Sequence, residues 1–253
     1  RRLREKCGVE VRVVETDRGW IDPDDWEDAV QGATVATFSS VCWTSGVRAP
    51  VRELTERAHD AGARVVVDAV QSPGQHPIDV EEWGADAVAA SGHKWLLGPW
   101  GAGFLYVDPG FAETLAPAQL GYRNTVDPYA DPYEYEAGAR RFEFGTVAPA
   151  PYAGLQTAIE TIEEIGLDTV QSRVERLTDR LKEGLGEDRL VTPREYHTGL
   201  VSFADDDPEA TVERVAKQGI KVRSIPTTGV VRASVHVFNT ADDVDALLAA
   251  LEG

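Results

Sequence analysis

Methionine is absent from the 253 residues of this chain, and cysteine occurs only twice, as Cys7 and Cys42. Two cysteines provide neither a disulfide framework nor a metal site, so we expect a reduced, cytoplasmic protein without a structural metal. Long apolar runs are also missing: none approaches the ~18 residues of a membrane-spanning helix, and the first residues do not resemble a signal peptide. Because the chain opens on Arg1 rather than on methionine, we expect it to lack an N-terminal part.

Positive charge is scarce, with 25 basic residues against 43 acidic ones and a formal net charge of −18. Such a surface repels phosphate backbones and anionic lipids, which argues against nucleic acid or a membrane as a partner. The acidic residues are scattered along the chain rather than gathered in blocks, which favours a solvated surface over a disordered tail. Because salt screens the repulsion between like charges, we interpret the acid excess as an adaptation to high salt and predict a halophilic source.

The chain does contain an alternation of short apolar strands and amphipathic helices, and 42% of its residues are hydrophobic. The predicted strands in the first part comprise residues 9–14, 33–38, 64–67, 86–90 and 102–107. Their alternation with helices predicts an α/β fold in which a mainly parallel sheet is covered by helices. Residues 110–145, which are rich in proline, tyrosine and glycine, are predicted to form a long functional loop.

The C-terminal part of the chain shows a different order of elements. Two helical patterns that follow Pro149 are predicted to bridge between domains over residues 149–185. The remaining pattern of strand, helix, two strands and helix predicts a smaller α+β domain at residues 186–253. Residues 1–148 are then predicted to be part of a large domain.

Two polar side chains stand where predicted strands end. Asp68 ends the apolar strand 64–67, and Lys94 follows the strand 86–90 within a Gly-rich turn. Ligands of open parallel sheets collect at the carboxyl ends of the strands, so we expect both side chains to face one crevice. A partly desolvated lysine is a nucleophile. The alternatives are an exposed loop lysine and an aspartate that merely caps a turn.

Anion-binding groups surround this pair in the sequence. Ser91 and His93 flank a glycine whose backbone amide is accessible, and Thr146 lies just before the helix that begins near Pro149. Arg232 lies in the middle of an apolar strand, where its charge requires a carboxylate or phosphate. An ordinary N-terminal turn at Thr146 and an internal ion pair at Arg232 are the alternatives that the residues leave open.

Four segments together resemble one family. They are residues 65–71 (VVVDAVQ), 85–99 (ADAVAASGHKWLLGP), 141–146 (RFEFGT), and 231–234 (VRAS) with 238–240 (FNT). In this order they resemble the class V aminotransferases among the fold-type I pyridoxal phosphate enzymes. This family includes cysteine desulfurases and isopenicillin N epimerase-like proteins.

The resemblance implies a homodimeric enzyme that binds pyridoxal 5′-phosphate and acts on an amino acid and a keto acid. It implies Lys94 as the Schiff-base lysine, Asp68 as partner of the pyridinium nitrogen, Gln71 at the ring hydroxyl, Ser91 and His93 at the phosphate, Thr146 at the phosphate of the neighbouring subunit, and Arg232 at the substrate carboxylate. The family also begins further upstream, with a part that supplies further cofactor contacts, and this chain is expected to lack it.

Two departures from the family pattern affect the expected reaction. Cysteine desulfurases carry a mobile cysteine ahead of the arginine strand, whereas residues 222–229 contain none. They also place an asparagine over the ring hydroxyl, where this chain has Trp43. We therefore predict an aminotransferase, with a cysteine desulfurase-like lyase, an epimerase or a truncated non-catalytic homologue as alternatives. A nucleotide-binding domain is disfavoured because no Gly-x-Gly-x-x-Gly motif follows a strand.

Overall fold

Two β-sheets organise the computed structural model, which describes residues 2–226 and 228–252 and all their side chains except that of Leu3. The helices and strands are α1 (Arg2–Cys7), α2 (Pro23–Val30), β1 (Val35–Ser39), α3 (Val51–Asp60), β2 (Arg64–Asp68), α4 (Val80–Trp83), β3 (Ala87–Ser91), β4 (Gly103–Val107), α5 (Pro109–Glu113), α6 (Pro149–Ile165), α7 (Leu167–Leu185), β5 (Leu200–Ala204), α8 (Pro208–Ala216), β6 (Arg223–Ile225), β7 (Val230–Ser234) and α9 (Ala241–Glu252). None of these described helices is long and apolar enough to cross a membrane.

The first sheet has the strand order β1-β2-β3-β4, and β1, β2 and β3 run parallel. Ser39 pairs with Asp68, and Asp68 pairs with Ala89, so the carboxyl ends of these strands lie at one edge. Strand β4 runs antiparallel to β3. The short segment between them explains this direction, because a parallel return needs a crossover of about a dozen residues or more. The predicted mainly parallel sheet is confirmed.

Helices cover both faces of this sheet. On one face α2 and α3 bury Trp26 and Leu54 against the alternating strand residues Val65 and Val67, and Trp26 meets Phe38 edge to face at 5.2 Å. On the other face, α5 and a 3-10 turn at Gly138–Phe142 pack against Ala87 and Val107. The long loop predicted at residues 110–145 therefore holds a short ordered turn that helps to cover the sheet.

The second sheet is antiparallel, with the order β5-β7-β6. Its inner face packs against α7 and α9, and the shared core includes Leu181, Phe203, Val231 and Leu247. This arrangement is the smaller α+β unit that the C-terminal pattern predicted. The domain boundaries at residues 148 and 185 themselves remain a prediction.

The strand predicted at residues 9–14 is wrong. The segment has no regular secondary structure, and Val13 is 76% exposed. Its alternating valines suggested a strand, but a strand also needs a neighbour for its backbone hydrogen bonds. Instead, the Arg12 guanidinium donates to the carbonyl oxygens of Ala29 (3.2 Å) and Gln31 (2.6 Å) at the end of α2. The segment is thus held at the C-terminus of a helix, where cations and donors are stabilised.

Candidate active site

The loop between β3 and β4 positions Lys94 at the edge where the parallel strands end. Gly92 donates from its backbone N–H to Ala102 O (3.0 Å), and Gly98 donates to Gly92 O (2.9 Å), so the loop closes on itself. A Cβ at Gly98 would lie only 2.8 Å from the Gly92 carbonyl oxygen. Glycine at this position therefore permits the tight closure that holds Lys94 in place.

Lys94 opens into a cavity of about 330 Å³ between the two sheets. The residues that line the cavity are Trp43, Gln71, Lys94, Trp95, Leu97, Leu200, Arg223, Arg232, Ser234, His236 and Phe238. Three of these described residues carry basic side chains, Lys94, Arg223 and Arg232, and none is an aspartate or glutamate. In a chain with a net charge of −18, this cavity is a local concentration of positive charge suited to an anionic ligand.

The environment of Lys94 favours its neutral amine. Burial lowers the pKa of Lys94 most, the nearby Asp68 carboxylate raises it, and the positive charges of Arg232 and Arg223 lower it further. The net direction is downward from the ordinary lysine value. A lysine of this kind is a better nucleophile and base than an exposed one.

Asp68 lies at the end of β2, close enough to influence the titration of Lys94. Its Oδ1 accepts a hydrogen bond from Val70 N (2.9 Å), and the side chain is exposed. The carboxylate is not among the residues that line the 330 Å³ cavity. The structure therefore places Asp68 at the edge of the sheet that carries Lys94, but outside the lining of this cavity, and its role at the site stays a prediction.

Gln71 has a contact that the sequence did not reveal. Its Oε1 accepts a hydrogen bond from the indole Nε1 of Trp95 (2.9 Å), the residue next to Lys94. On its other side Trp95 stacks with His236 at 5.2 Å, and His236 Nε2 donates to Trp95 O (2.9 Å). The backbone N–H of Val237 donates to His236 Nδ1 (2.6 Å), which fixes the tautomer of the imidazole. The second sheet thereby holds the loop that carries Lys94, residues 92–102 and here called the lysine loop, in position.

The three residues predicted at the phosphate lie in different surroundings. The Ser91 hydroxyl is buried and has no hydrogen-bond partner among the described residues. The His93 ring stacks on Trp100, with 4.0 Å between the ring centroids. Thr146 is exposed, shares a hydrogen bond with the Tyr122 hydroxyl, and does not line the cavity.

Arg232 projects from β7 into the cavity, and only some of its guanidinium N–H groups have hydrogen-bond partners among the described residues. Its Nη1 donates to Trp43 O (2.5 Å), whereas its Nε is buried without a partner among the described residues. Arg223 also lies over the Trp43 ring, at 6.0 Å, compared with 5.7 Å for Arg232. Arg223 was not among the site residues predicted from the sequence, because its place opposite Arg232 depends on the register between β6 and β7.

These groups fit the cofactor that the resemblance implies. Pyridoxal phosphate needs an amine for its aldehyde, a carboxylate for its ring nitrogen and donors for its phosphate. Lys94 and Asp68 provide the first two at one edge of the sheet. The buried Ser91 hydroxyl, which has no partner among the described residues, is the observation that fits a phosphate oxygen. The Gly92 amide, expected to be accessible, instead donates to Ala102 O.

Comparisons with known proteins agree with this geometry. The family model for class V aminotransferases matches residues 1–247. A probable cysteine desulfurase of Methanothermobacter thermautotrophicus is 36% identical over 274 aligned residues, which cover 99% of this chain and 68% of that relative. The apo structure of a cysteine desulfurase from Thermococcus onnurineus has a TM-score of 0.91 at 34% identity, covering 99% of this chain and 67% of that one. The predicted α/β fold is confirmed.

A C–S lyase is also similar in structure. The cystine C–S lyase C-DES, solved with its product cysteine persulfide, has a TM-score of 0.88 at 25% identity, covering 99% of this chain and 70% of that one. A variant of C-DES carries glycine covalently linked to its pyridoxal phosphate cofactor, and has a TM-score of 0.83 at 27% identity over 90% of this chain and 63% of that one. The chain thus spans about two thirds of the length of the proteins it matches.

Proposed function

The chain belongs to the class V aminotransferase family, whose cysteine desulfurase-like members depend on pyridoxal phosphate, and from this we propose that it acts as a lyase on a sulfur-containing amino acid. The proposed reaction breaks the bond between Cβ and sulfur. The similarity to desulfurases and to a C–S lyase favours this chemistry over the aminotransferase expected from the sequence.

The observation that carries the proposal is the cationic cavity beside Lys94. The fork-shaped guanidinium of Arg232, with its Nε unpartnered, is proposed to bind the α-carboxylate of the amino acid. When bound, pyridoxal phosphate supplies an electron sink for the α-carbon. Lys94, whose pKa is lowered by burial, is proposed to hold the cofactor and to move the α-proton as a general base. Asp68 is proposed to keep the ring nitrogen protonated.

The cysteines support elimination rather than sulfur transfer to a thiol of this chain. Cys7 is exposed on α1, and Cys42 is partly buried and shares a hydrogen bond with Thr44 Oγ1 (3.0 Å). Neither lines the cavity. Elimination needs no acceptor thiol, because an S-substituted cysteine and one water yield pyruvate, ammonia and the thiol of the substituent. The electron pair of the broken Cβ–S bond leaves with sulfur, which then takes up a proton.

The products distinguish the candidate reactions. The full-length protein, loaded with pyridoxal phosphate, would be incubated with L-cystine or L-cysteine, and pyruvate, ammonia and alanine would be quantified. Elimination predicts one pyruvate and one ammonia for each Cβ–S bond broken, and a Cys7→Ser/Cys42→Ser variant is expected to retain this activity. Alanine as the carbon product, or amino transfer to an added keto acid, would contradict the lyase.

A cysteine desulfurase that passes sulfur to an external thiol is the second candidate, favoured by the 36% identical relative of that name. In that case alanine replaces pyruvate, and the yield depends on the added thiol.

We also propose that the protein is cytoplasmic and forms a homodimer. The homodimer is proposed because Thr146 is exposed and lies away from the cavity, where a neighbouring subunit would reach it. Sedimentation of the full-length protein tests the dimer independently of the reaction.

A further inference from the structure

The side-chain amide of Gln71 is held in one orientation. The indole Nε1 of Trp95 donates to it at 2.9 Å, and because an indole N–H can only donate, the atom that faces it must be the amide oxygen. The amide nitrogen, Nε2, therefore points away from Trp95. It has no hydrogen-bond partner among the described residues, and Gln71 lines the cavity beside Lys94. The free group of Gln71 at the cavity is consequently a hydrogen-bond donor.

The backbone of Gln71 is fixed as well, from the side of the second sheet. Gly199, which directly precedes β5, donates from its backbone N–H to Gln75 Oε1 (2.9 Å), and Gln75 Nε2 donates to Gln71 O. Since a backbone N–H only donates and a carbonyl oxygen only accepts, the Gln75 amide also has a single possible orientation. Gln75 is fully buried, so water does not compete for these bonds. Gln71 is thus held both at its carbonyl and at its side-chain oxygen.

Trp95 is in turn held by contacts that leave its indole little freedom. It is 5% exposed, and it stacks on His236 with 5.2 Å between the ring centroids. A Cβ at Gly199 would lie 2.7 Å from two atoms of the indole ring, so the ring occupies the space that a side chain at residue 199 would need. A donor whose own position is locked by packing orients its partner strictly.

We propose that Trp95 is a positioning residue, which holds the Gln71 amide so that Nε2 donates to the ring hydroxyl oxygen of bound pyridoxal phosphate and stabilises the ionised form of that oxygen. The inference rests on the proposed function, in which Lys94 holds the cofactor, and on the contact between Gln71 and the ring hydroxyl that the resemblance implies. A glutamine that is free to rotate can offer either its oxygen or its nitrogen. Only the nitrogen attracts an oxyanion, so the orientation that Trp95 imposes favours the negative charge on the ring oxygen.

The absorbance of the full-length, cofactor-loaded protein, titrated with pH, tests this role without requiring turnover. A donor at the ring oxygen stabilises its negative charge, so the Lys94 nitrogen joined to the cofactor loses its proton at a lower pH. Gln71→Leu removes the donor and is expected to raise the midpoint of the absorbance change by about 1 pH unit. Trp95→Phe keeps an aromatic ring against His236 but lacks the N–H, and it should raise the midpoint by about 0.5 pH unit or more.

Trp26→Phe is the matched control. Trp26 is also 5% exposed, and its indole N–H also donates at 2.9 Å, to Leu54 O, but it lies in α2 and does not line the cavity. This variant loses a buried hydrogen bond of the same kind and is expected to leave the midpoint unchanged. An equal shift in Trp26→Phe, or no shift in Trp95→Phe, would overturn the role of Trp95.

The double variant Trp95→Phe/Gln71→Leu shows whether Trp95 acts through Gln71. We expect it to have the midpoint of Gln71→Leu alone, and additive shifts would overturn the inference. Equilibrium dialysis with pyridoxal phosphate gives a second readout: the affinity should fall about 2- to 10-fold in each single variant, and no further in the double variant than in Gln71→Leu. Absence of cofactor absorbance in the parent protein would contradict the proposed function itself, whereas elimination without a shift in Trp95→Phe would leave the lyase intact and overturn only the role of Trp95.

Discussion

The reactivity of the site depends on one side chain, Lys94, whose surroundings act on it in opposite directions. Burial, Arg232 and Arg223 lower its pKa, while Asp68 raises it. The arginines favour the neutral amine that reacts, and the aspartate favours the protonated form. The two influences therefore have opposite signs and can be separated by substitution.

Competitive acetylation across a pH series, read by mass spectrometry at Lys94 in protein freed of cofactor, measures this pKa directly. The acetylation midpoint is expected below that of an unstructured lysine peptide. Asp68→Asn removes the charge that raises the pKa and should shift the midpoint to lower pH. Arg232→Met removes a charge that lowers it and should shift the midpoint to higher pH. Shifts in the reverse directions would show that these charges do not act on Lys94 as the structure indicates.

The site residues that sequence reasoning could predict are those that follow parallel strands. Asp68 and Lys94 could be predicted from the sequence because the carboxyl ends of parallel strands share an edge whatever the details of packing. Arg223 and His236 could not be predicted, since their place depends on the exact register of β6 and β7 and on the contact between the sheets. The bond between Gln71 and Trp95 was equally hidden, because it joins two loops that meet only in the folded chain.

At the scale of elements, the lysine loop is packed against the turn that follows β2. Gly74 in this turn has a φ of +95°, and a Cβ there would lie 2.3 Å from Trp95 O and 2.4 Å from Trp95 C. Both contacts are with backbone atoms, which a side-chain rotation cannot relieve. The position of Lys94 is therefore coupled to a glycine twenty residues earlier in the chain.

Gly74→Ala is expected to lower the free energy of unfolding by about 3 kcal/mol or more and to weaken cofactor binding, because overpacking adds to the strain of a left-handed backbone. Gly62→Ala is the matched control: its φ is +83°, but a Cβ there meets nothing within 4 Å. The control should lose only about 1 kcal/mol. Urea unfolding of both variants measures the difference, and equal losses would contradict the coupling between the turn and the lysine loop.

At the scale of the whole molecule, hydrogen bonds join the segment before β5 to the segments that follow β1 and β2. Thr198 Oγ1 donates to Gly46 O (2.9 Å), Thr192 Oγ1 donates to Ser45 O (2.7 Å), and Gly199 N donates to Gln75 Oε1 (2.9 Å). The backbone N–H of Arg48 donates to His197 Nδ1 (3.1 Å). The cavity is lined from both sides, with Lys94 in the loop after β3 and Leu200 and Arg232 in the second sheet, so the two sheets must stay together for the site to exist.

The overall architecture was predictable where local signals determine it. Helix α2 begins at Pro23 behind Asp22, whose side chain accepts from Asp24 N, and an aspartate followed by proline is a local signal for the start of a helix. The alternating valines at residues 9–14 gave an equally clear local signal and were misinterpreted. A helix satisfies its own hydrogen bonds, whereas a strand depends on a neighbour that the local pattern does not specify.

The burial of histidines makes the stability of the folded chain sensitive to acid. Burial and the charge of Arg48 lower the pKa of His76 from 6.5 to about 4, and burial lowers the pKa of His236 and of His197. The unfolded chain therefore takes up protons first as the pH falls. The stability that these neutral imidazoles contribute is complete above about pH 7 and declines as the pH drops through the unfolded value near 6.5.

For His76 alone, a shift of this size corresponds to about 3 kcal/mol lost by the time the pH reaches ~4. His76→Asn cannot titrate and can still donate to the Pro77 carbonyl oxygen, as Nδ1 of His76 does at 3.0 Å. Urea unfolding at pH 8, 7, 6 and 5.5 should therefore show a shallower decline in the variant, over a range in which most carboxylates stay ionised. Parallel curves would mean that His76 is protonated equally in the folded and unfolded chain, and that the acid sensitivity arises at the other histidines.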